Sequence, residues 1–106
     1  MSIKEDAKTS PWDTADYLKT QEDISDYLEI AFESGDPQEV YAALGVVARA
    51  QGMMGVSKKA GLNRANLYTS LTKDGNPSYE TVDSVMDALG YRLMPVPTGS
   101  KQRVKI

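Results

Sequence analysis

Apolar residues recur at helical spacing along most of the chain, and polar capping residues separate the successive stretches. The first stretch follows Thr20, which stands three residues before Asp23 in a capping-box arrangement, and it ends at Gly35. Its apolar residues are Ile24, Tyr27, Leu28, Ala31 and Phe32. Because the acidic residues lie mostly off this stripe, the pattern predicts a helix that is apolar inside and acidic outside.

The second stretch begins with Asp36, which is placed to cap a helix with Pro37 at its first position and Glu39 as a capping-box acid. Its apolar stripe consists of Val40, Ala43, Leu44, Val47 and Ala48. Gln51 and Gly52 close it. We expect this helix to pack beneath the two helices that follow.

Two short helical patterns then meet at Gly61, and each contains one apolar pair four residues apart. The pairs are Val56 with Ala60 and Leu67 with Leu71. Gly61 can take the left-handed conformation that ends the first helix, Leu62 fills the corner, and Asn63 caps the second helix. This layout over residues 53–72 is typical of a helix-turn-helix, whose second helix lies in the DNA major groove. A helix, a glycine and a second helix also occur in bundles that never contact DNA.

Ser78 to Gly90 repeats the helical pattern, with Val82, Val85, Met86 and Leu89 facing inward. The apolar run over 91–96 contains Pro95 and precedes Pro97, so it predicts a short edge strand. Such a strand would pair with its copy in a symmetric homodimer. An extended segment laid against the helices fits the same residues equally well.

The pattern therefore predicts an all-α fold, namely a five-helix helix-turn-helix domain with a short C-terminal β-strand. We expect residues 1–11 to be a disordered tail, 12–97 the helical domain with acidic helices over 13–35, and 98–106 a basic mobile tail. A short helix capped by Asp13 or Thr14 would place Tyr17 in the core, whereas Trp12 fits either the core or a partner contact.

The net charge of −3 is the sum over four blocks of the sequence that differ in the sign of their charge. Residues 1–48 carry three Lys and eleven acids, which gives −8, whereas residues 49–73 carry five cations and no acid, which gives +5. Residues 74–91 give −4 and the last fifteen residues give +4. The predicted helix-turn-helix is thus the long acid-free basic segment, and a local basic face matters more for phosphate contact than the overall charge.

The outward positions of the second motif helix carry side chains suited to base edges, because Arg can read guanine and Asn can read adenine. The base-reading candidates are Asn63, Arg64, Asn66, Tyr68 and Thr69. Polar residues on an outer face are also commonly just solvated.

Several runs of this chain resemble a known family in both order and spacing. They are Gly-Asp-Pro at 35–37, Ala-Ala-Leu-Gly at 42–45, Ala-Arg-Ala-Gln-Gly-Met at 48–53, Ala-Gly-Leu-Asn-Arg at 60–64, Asn-Leu-Tyr at 66–68, Gly-Asn-Pro at 75–77 and Ala-Leu-Gly-Tyr-Arg-Leu at 88–93. Over about residues 12–96 the chain is similar to the probable addiction module antidote proteins, HigA-like antitoxins of type II toxin–antitoxin operons. That family belongs to the lambda-repressor/Cro-like (XRE) helix-turn-helix class.

The resemblance implies a DNA-binding dimer that represses its own operon and neutralises a small basic RelE/ParE/HigB-like toxin from the neighbouring gene. It places the base-reading candidates on the recognition helix and three phosphate-contacting candidates beside it: Lys58, Lys59 and Lys73. This chain departs from the family at Met54-Gly55, where Ser-Gln is common, and at Ser57, where Ala is usual. The acidic residues from Asp13 to Glu33 are our candidate toxin surface.

Other functions follow less well from the residues. A stand-alone XRE regulator without a toxin would use the same DNA-reading residues, and an interaction module without DNA binding is a third alternative. The chain has no Cys or His, so we expect no enzyme, metal site or cofactor. With no signal peptide pattern and no long apolar run, we expect a cytoplasmic protein without membrane contact.

Overall fold

The computed structural model describes residues 17–97, and over that range the chain forms five α-helices. They are α1 (Gln21–Glu33), α2 (Pro37–Gln51), α3 (Met53–Ala60), α4 (Arg64–Ser70) and α5 (Tyr79–Leu89). The all-α prediction is confirmed for this part of the chain. The tails predicted over 1–11 and 98–106, Trp12 and the cap of the predicted short N-terminal helix lie outside the described residues.

Local capping sets the start of each of the first two helices. The Thr20 hydroxyl accepts from the Asp23 N–H, and the Asp23 carboxylate accepts from the Thr20 N–H, which confirms the predicted capping box. Asp36 caps α2 by accepting from the Gln38 N–H at 3.0 Å. The predicted capping-box role of Glu39 is wrong, because its carboxylate turns instead to Lys73, which lies beyond α4.

Helix α2 lies at the centre of the fold and contacts each of the other four described helices. Its Leu44 and Val47 are fully buried, as are Leu67 of α4 and Val85 of α5. The prediction that α2 packs beneath both α3 and α4 is confirmed. Helix α1 contacts α2 alone among the described helices, so it makes no direct contact with α3 or α4.

The predicted C-terminal strand is wrong: the described residues contain no strand, and 91–97 run without regular structure. Pro95 and Pro97 have no N–H to donate to a ladder, and the described chain offers no strand to pair with. Instead Tyr91 and Leu93 pack half-buried against the helical core. This is the extended-segment alternative, so the strand argument no longer supports a homodimer, which stays a prediction.

The predicted core position of Tyr17 is also wrong, because 73% of this residue is exposed. Tyr17 precedes the Thr20 cap and so lies outside the α1 stripe, whereas its neighbour Leu18 packs partly buried on the core. No helix of the described residues combines the length and the apolarity needed to cross a membrane.

Candidate nucleic-acid interface

The turn between α3 and α4 is built by three consecutive residues, 61–63. Gly61 has φ 71° and ψ 31°, the left-handed conformation that glycine adopts without the steric cost of a side chain. Its N–H donates to the Lys58 carbonyl at 3.2 Å, and the Leu62 N–H donates to the Ser57 carbonyl at 3.0 Å. These bonds end α3 and turn the chain abruptly into α4, as the sequence predicted.

Asn63 caps α4, because its Oδ1 accepts from the Asn66 N–H at 3.1 Å. This confirms the predicted cap. The same oxygen is the acceptor that a bidentate contact with adenine requires. Asn63 therefore has a shown role in starting the helix, and its role as a base reader stays a prediction.

The outer face of α4 carries the remaining base-reading candidates, while Leu67 on the inner face is fully buried. Arg64, Asn66 and Thr69 are exposed. The Thr69 hydroxyl donates back to the Asn66 carbonyl at 3.0 Å, so its proton is used within the helix. Arg64 occupies the first position of α4, and its long cationic side chain is exposed on this face and available to a base edge.

Tyr68 and Arg49 form a contact that the sequence analysis missed. The guanidinium carbon of Arg49 lies 5.4 Å from the centre of the Tyr68 ring, within the range of a cation–π interaction. Both residues line an apolar groove of about 400 Å³ between α2 and α4, together with Val46, Met53 and other residues. Nothing in the spacing signalled this pair, because Arg49 and Tyr68 belong to different helices.

The phosphate candidates differ in their surroundings. Lys58 and Lys59 are exposed in the last turn of α3, where cations also interact favourably with the helix C-terminus. The Lys73 ammonium instead lies 3.1 Å from the Glu39 carboxylate of α2. The hydrogen bond that the Lys73 ammonium donates to Glu39, followed by the negative charge of Glu39, raises the pKa of Lys73 above its ordinary value.

The loop after α4 is fixed by residues at the start of α2. The Gln38 side-chain amide donates to the Lys73 carbonyl and also to the Gly75 carbonyl, the latter at 3.3 Å. A side chain on Gly75 would overlap the Ser70 carbonyl, so only glycine fits where the loop passes the end of α4. Sequence reasoning missed Gln38 and Glu39, since both lie more than thirty positions from the loop that they contact.

The two positions where this chain departs from the resembling family have simple local consequences. Met54 and Gly55 lie inside α3, which begins at Met53, and Gly52 before it provides no side-chain cap, so the start of α3 lacks that hydrogen bond. Ser57 is buried, and its hydroxyl donates to the Met54 carbonyl at 3.0 Å, so its polar group is satisfied. Neither position disturbs the turn at Gly61.

Comparison with known proteins places the chain among relatives over most of its length. Residues 8–97 match the model of a family described as probable addiction module antidote protein. An uncharacterized protein of Haemophilus influenzae strain Rd is 37% identical over 81 residues, which cover 76% of this chain and 84% of that relative. No solved structure matches the chain.

Proposed function

The chain belongs to the family of probable addiction module antidote proteins, and we propose that it is an antitoxin that binds both operator DNA and a toxin. Family membership implies an antidote role and a toxin partner in general terms. The DNA-binding activity, the RelE/ParE/HigB-like nature of the toxin and the repression of its own operon are our proposals. So is its place in the HigA-like, XRE class.

The observation that carries the DNA-binding proposal is the geometry of α3 and α4. A left-handed Gly61 and an Asn63 cap join the two helices, and α4 exposes Arg64 and Asn66 on its outer face. No acidic residue occurs between positions 49 and 73, so this face does not repel phosphates with carboxylates of its own segment.

In the proposed complex, α4 enters the major groove of the operator. Lys58 and Lys59 contact phosphates and set the orientation, whereas Arg64 and Asn66 read base edges. Two copies of the chain would read half-sites about one helical turn apart. The mechanism is binding without catalysis.

The toxin would bind on α1, which does not contact α4. Exposed acidic residues of α1 recur at positions 22, 26, 29 and 33, a spacing that aligns them on one face of a helix. A basic toxin is attracted to such a face, and Ile30 beside it is 70% exposed and offers apolar contact. Because α1 does not touch α4, both partners could be bound together.

Titration of a labelled duplex from upstream of the chain's own gene tests the DNA-binding proposal. We expect Lys58→Ala to weaken binding to every sequence and to reduce the salt dependence by about one unit. Arg64→Ala should cost roughly 1–3 kcal/mol and relax the sequence preference. Lys19→Ala and Arg92→Ala, which remove exposed cations outside the interface, should leave affinity nearly unchanged. If all four variants bind the duplex with the same affinity, the assignment of Lys58 and Arg64 to the interface is contradicted.

Affinity purification from the native host in high salt, followed by mass spectrometry, tests the toxin proposal. High salt removes proteins that are bridged by DNA, because phosphate contacts weaken steeply with salt. A small co-purifying protein encoded next to this gene supports the antitoxin proposal. A chain that purifies alone yet binds its own upstream DNA would favour the stand-alone XRE regulator.

A further inference from the structure

The Lys73 ammonium has an anionic partner at the edge of the proposed DNA-binding surface. Its Nζ lies 3.1 Å from Glu39 Oε2, and the two side chains are 68% and 45% exposed, respectively. The charges of Asp36 and Asp74 also act on this ammonium. By contrast, Lys58 and Lys59 form no ion pair with another described residue. A phosphate that approaches Lys73 therefore encounters a carboxylate already bound to the ammonium, whereas at Lys58 and Lys59 it does not.

The position of the loop does not depend on this ion pair. The Gln38 side-chain amide donates to the carbonyls of Lys73 and Gly75. Gly75 also packs closely against the Ser70 backbone, which fixes the loop relative to the end of α4. Glu39 is also not needed to start α2, since Asp36 supplies the cap. Its carboxylate thus acts on the charge of Lys73, while other residues place the backbone.

We propose that Glu39 restrains DNA binding by occupying the Lys73 ammonium that a DNA phosphate would otherwise take; the inference rests on the proposed DNA-binding function. A carboxylate and a phosphate both present anionic oxygens, so they compete for the same three donors of an ammonium group. Lys73 contributes its full charge and all its donors to a phosphate only when the internal pair is broken. An exposed pair of this kind is weak, and the restraint is accordingly graded rather than absolute.

Removing the competing carboxylate should strengthen DNA binding. Glu39→Gln keeps the size of the side chain, and we expect it to raise affinity for the upstream duplex roughly 2- to 5-fold at low salt. Because Lys73 then adds a full phosphate contact, the slope of log affinity against log salt should steepen by up to about one unit. In the Lys73→Gln background, Glu39→Gln should have almost no effect.

The experiment measures fluorescence anisotropy of the labelled upstream duplex over a range of salt concentrations. It compares the full chain with Glu39→Gln, Lys73→Gln and the double variant. Glu29→Gln is the matched control, since it makes the same charge change on α1, which does not contact α4. Circular dichroism checks folding, and Glu39→Ala replaces Glu39→Gln if the latter fails to fold.

The possible outcomes test the restraint by Glu39 separately from the DNA-binding function on which it rests. A gain specific to Glu39→Gln that disappears without Lys73 supports the restraint. If the unmodified chain binds DNA and Glu39→Gln matches Glu29→Gln or weakens binding, the restraint is overturned while the DNA-binding proposal stands. If neither the unmodified chain nor Glu39→Gln binds the upstream duplex even at the lowest salt concentration, both are overturned.

Discussion

Gly45 lies in the middle of α2 and faces the residue at which α4 ends. A β-carbon at this position would overlap the backbone carbonyl of Leu71, the residue that ends α4. Glycine usually weakens a helix, so its presence inside α2 has a packing reason. It lets the end of the proposed recognition helix approach α2 more closely than any side chain would permit.

We therefore expect Gly45→Ala to destabilise the fold by about 1–3 kcal/mol, because backbone atoms on both sides must shift to admit the methyl group. Gly55→Ala is the matched control, since a β-carbon there meets nothing within 4 Å and α3 gains helix propensity. That control should stabilise the chain by up to about 1 kcal/mol. Urea unfolding measures both, and equal effects would contradict the close approach.

Asn63 has two roles, one shown and one proposed, and two substitutions separate them. Asn63→Ala removes the cap of α4 and should cost about 1 kcal/mol of stability. Asn63→Ser retains a capping oxygen, so stability should change little, but it loses the amide that would read adenine. If Asn63→Ser binds the upstream duplex as well as the unmodified chain, Asn63 acts as a cap alone.

At the scale of whole elements, the sequence predicted the helices well because their determinants are local. Thr20, Asp36, Asn63 and Ser78 each cap the helix that the pattern assigned to them, and Gly61 ends α3 as expected. Contacts between elements could not be predicted in this way. The side chains of Glu39 and Lys73 meet only once α2 and α4 have packed.

The segment 91–97 was predicted as a strand because nothing in the sequence indicates its contact with α1. Its apolar run fits a strand, but Tyr91 instead fixes the segment to α1. The Tyr91 hydroxyl lies within hydrogen-bonding distance of the Gln21 amide and the Ser25 hydroxyl, and its backbone N–H donates to the Met86 carbonyl at 2.8 Å. A docked segment satisfies these groups without a partner strand.

Tyr91→Phe keeps the ring and removes both side-chain hydrogen bonds to α1. We expect a loss of about 1 kcal/mol in the free energy of unfolding, because one exposed hydrogen bond with Gln21 and one part-buried hydrogen bond with Ser25 are lost. Tyr79→Phe, which removes a hydroxyl from a residue that is 72% exposed, should change stability little. Thermal unfolding of the two variants gives the comparison, and equal midpoints would argue against docking through Tyr91.

On the scale of the whole molecule, the acidic face of α1 and the acid-free basic segment lie on helices that do not contact each other. The acidic face belongs to α1, whereas the acid-free basic segment forms α3 and α4. Helix α1 contacts α2 and not α4, so a change on its outer face need not disturb the proposed DNA-binding surface. This separation predicts that the two proposed activities can be lost independently.

Neutralising the acidic face through Asp26→Asn, Glu29→Gln and Glu33→Gln should abolish protection from the toxin while DNA affinity is kept or slightly raised. Lys58→Ala with Lys59→Ala should do the reverse, because phosphate contacts are lost and the acidic face is intact. Growth during toxin expression reports neutralisation, and anisotropy with the upstream duplex reports DNA binding.

The control for the acidic face removes an equal number of exposed acids from α5, through Glu80→Gln, Asp83→Asn and Asp87→Asn. It matches the change in net charge, so a general loss of attraction to a basic toxin would affect both triple variants equally. Loss of protection in the α1 variant alone locates the toxin on that face. Full protection by the α1 variant would place the toxin elsewhere, and loss of both activities would mean that the two surfaces are not independent.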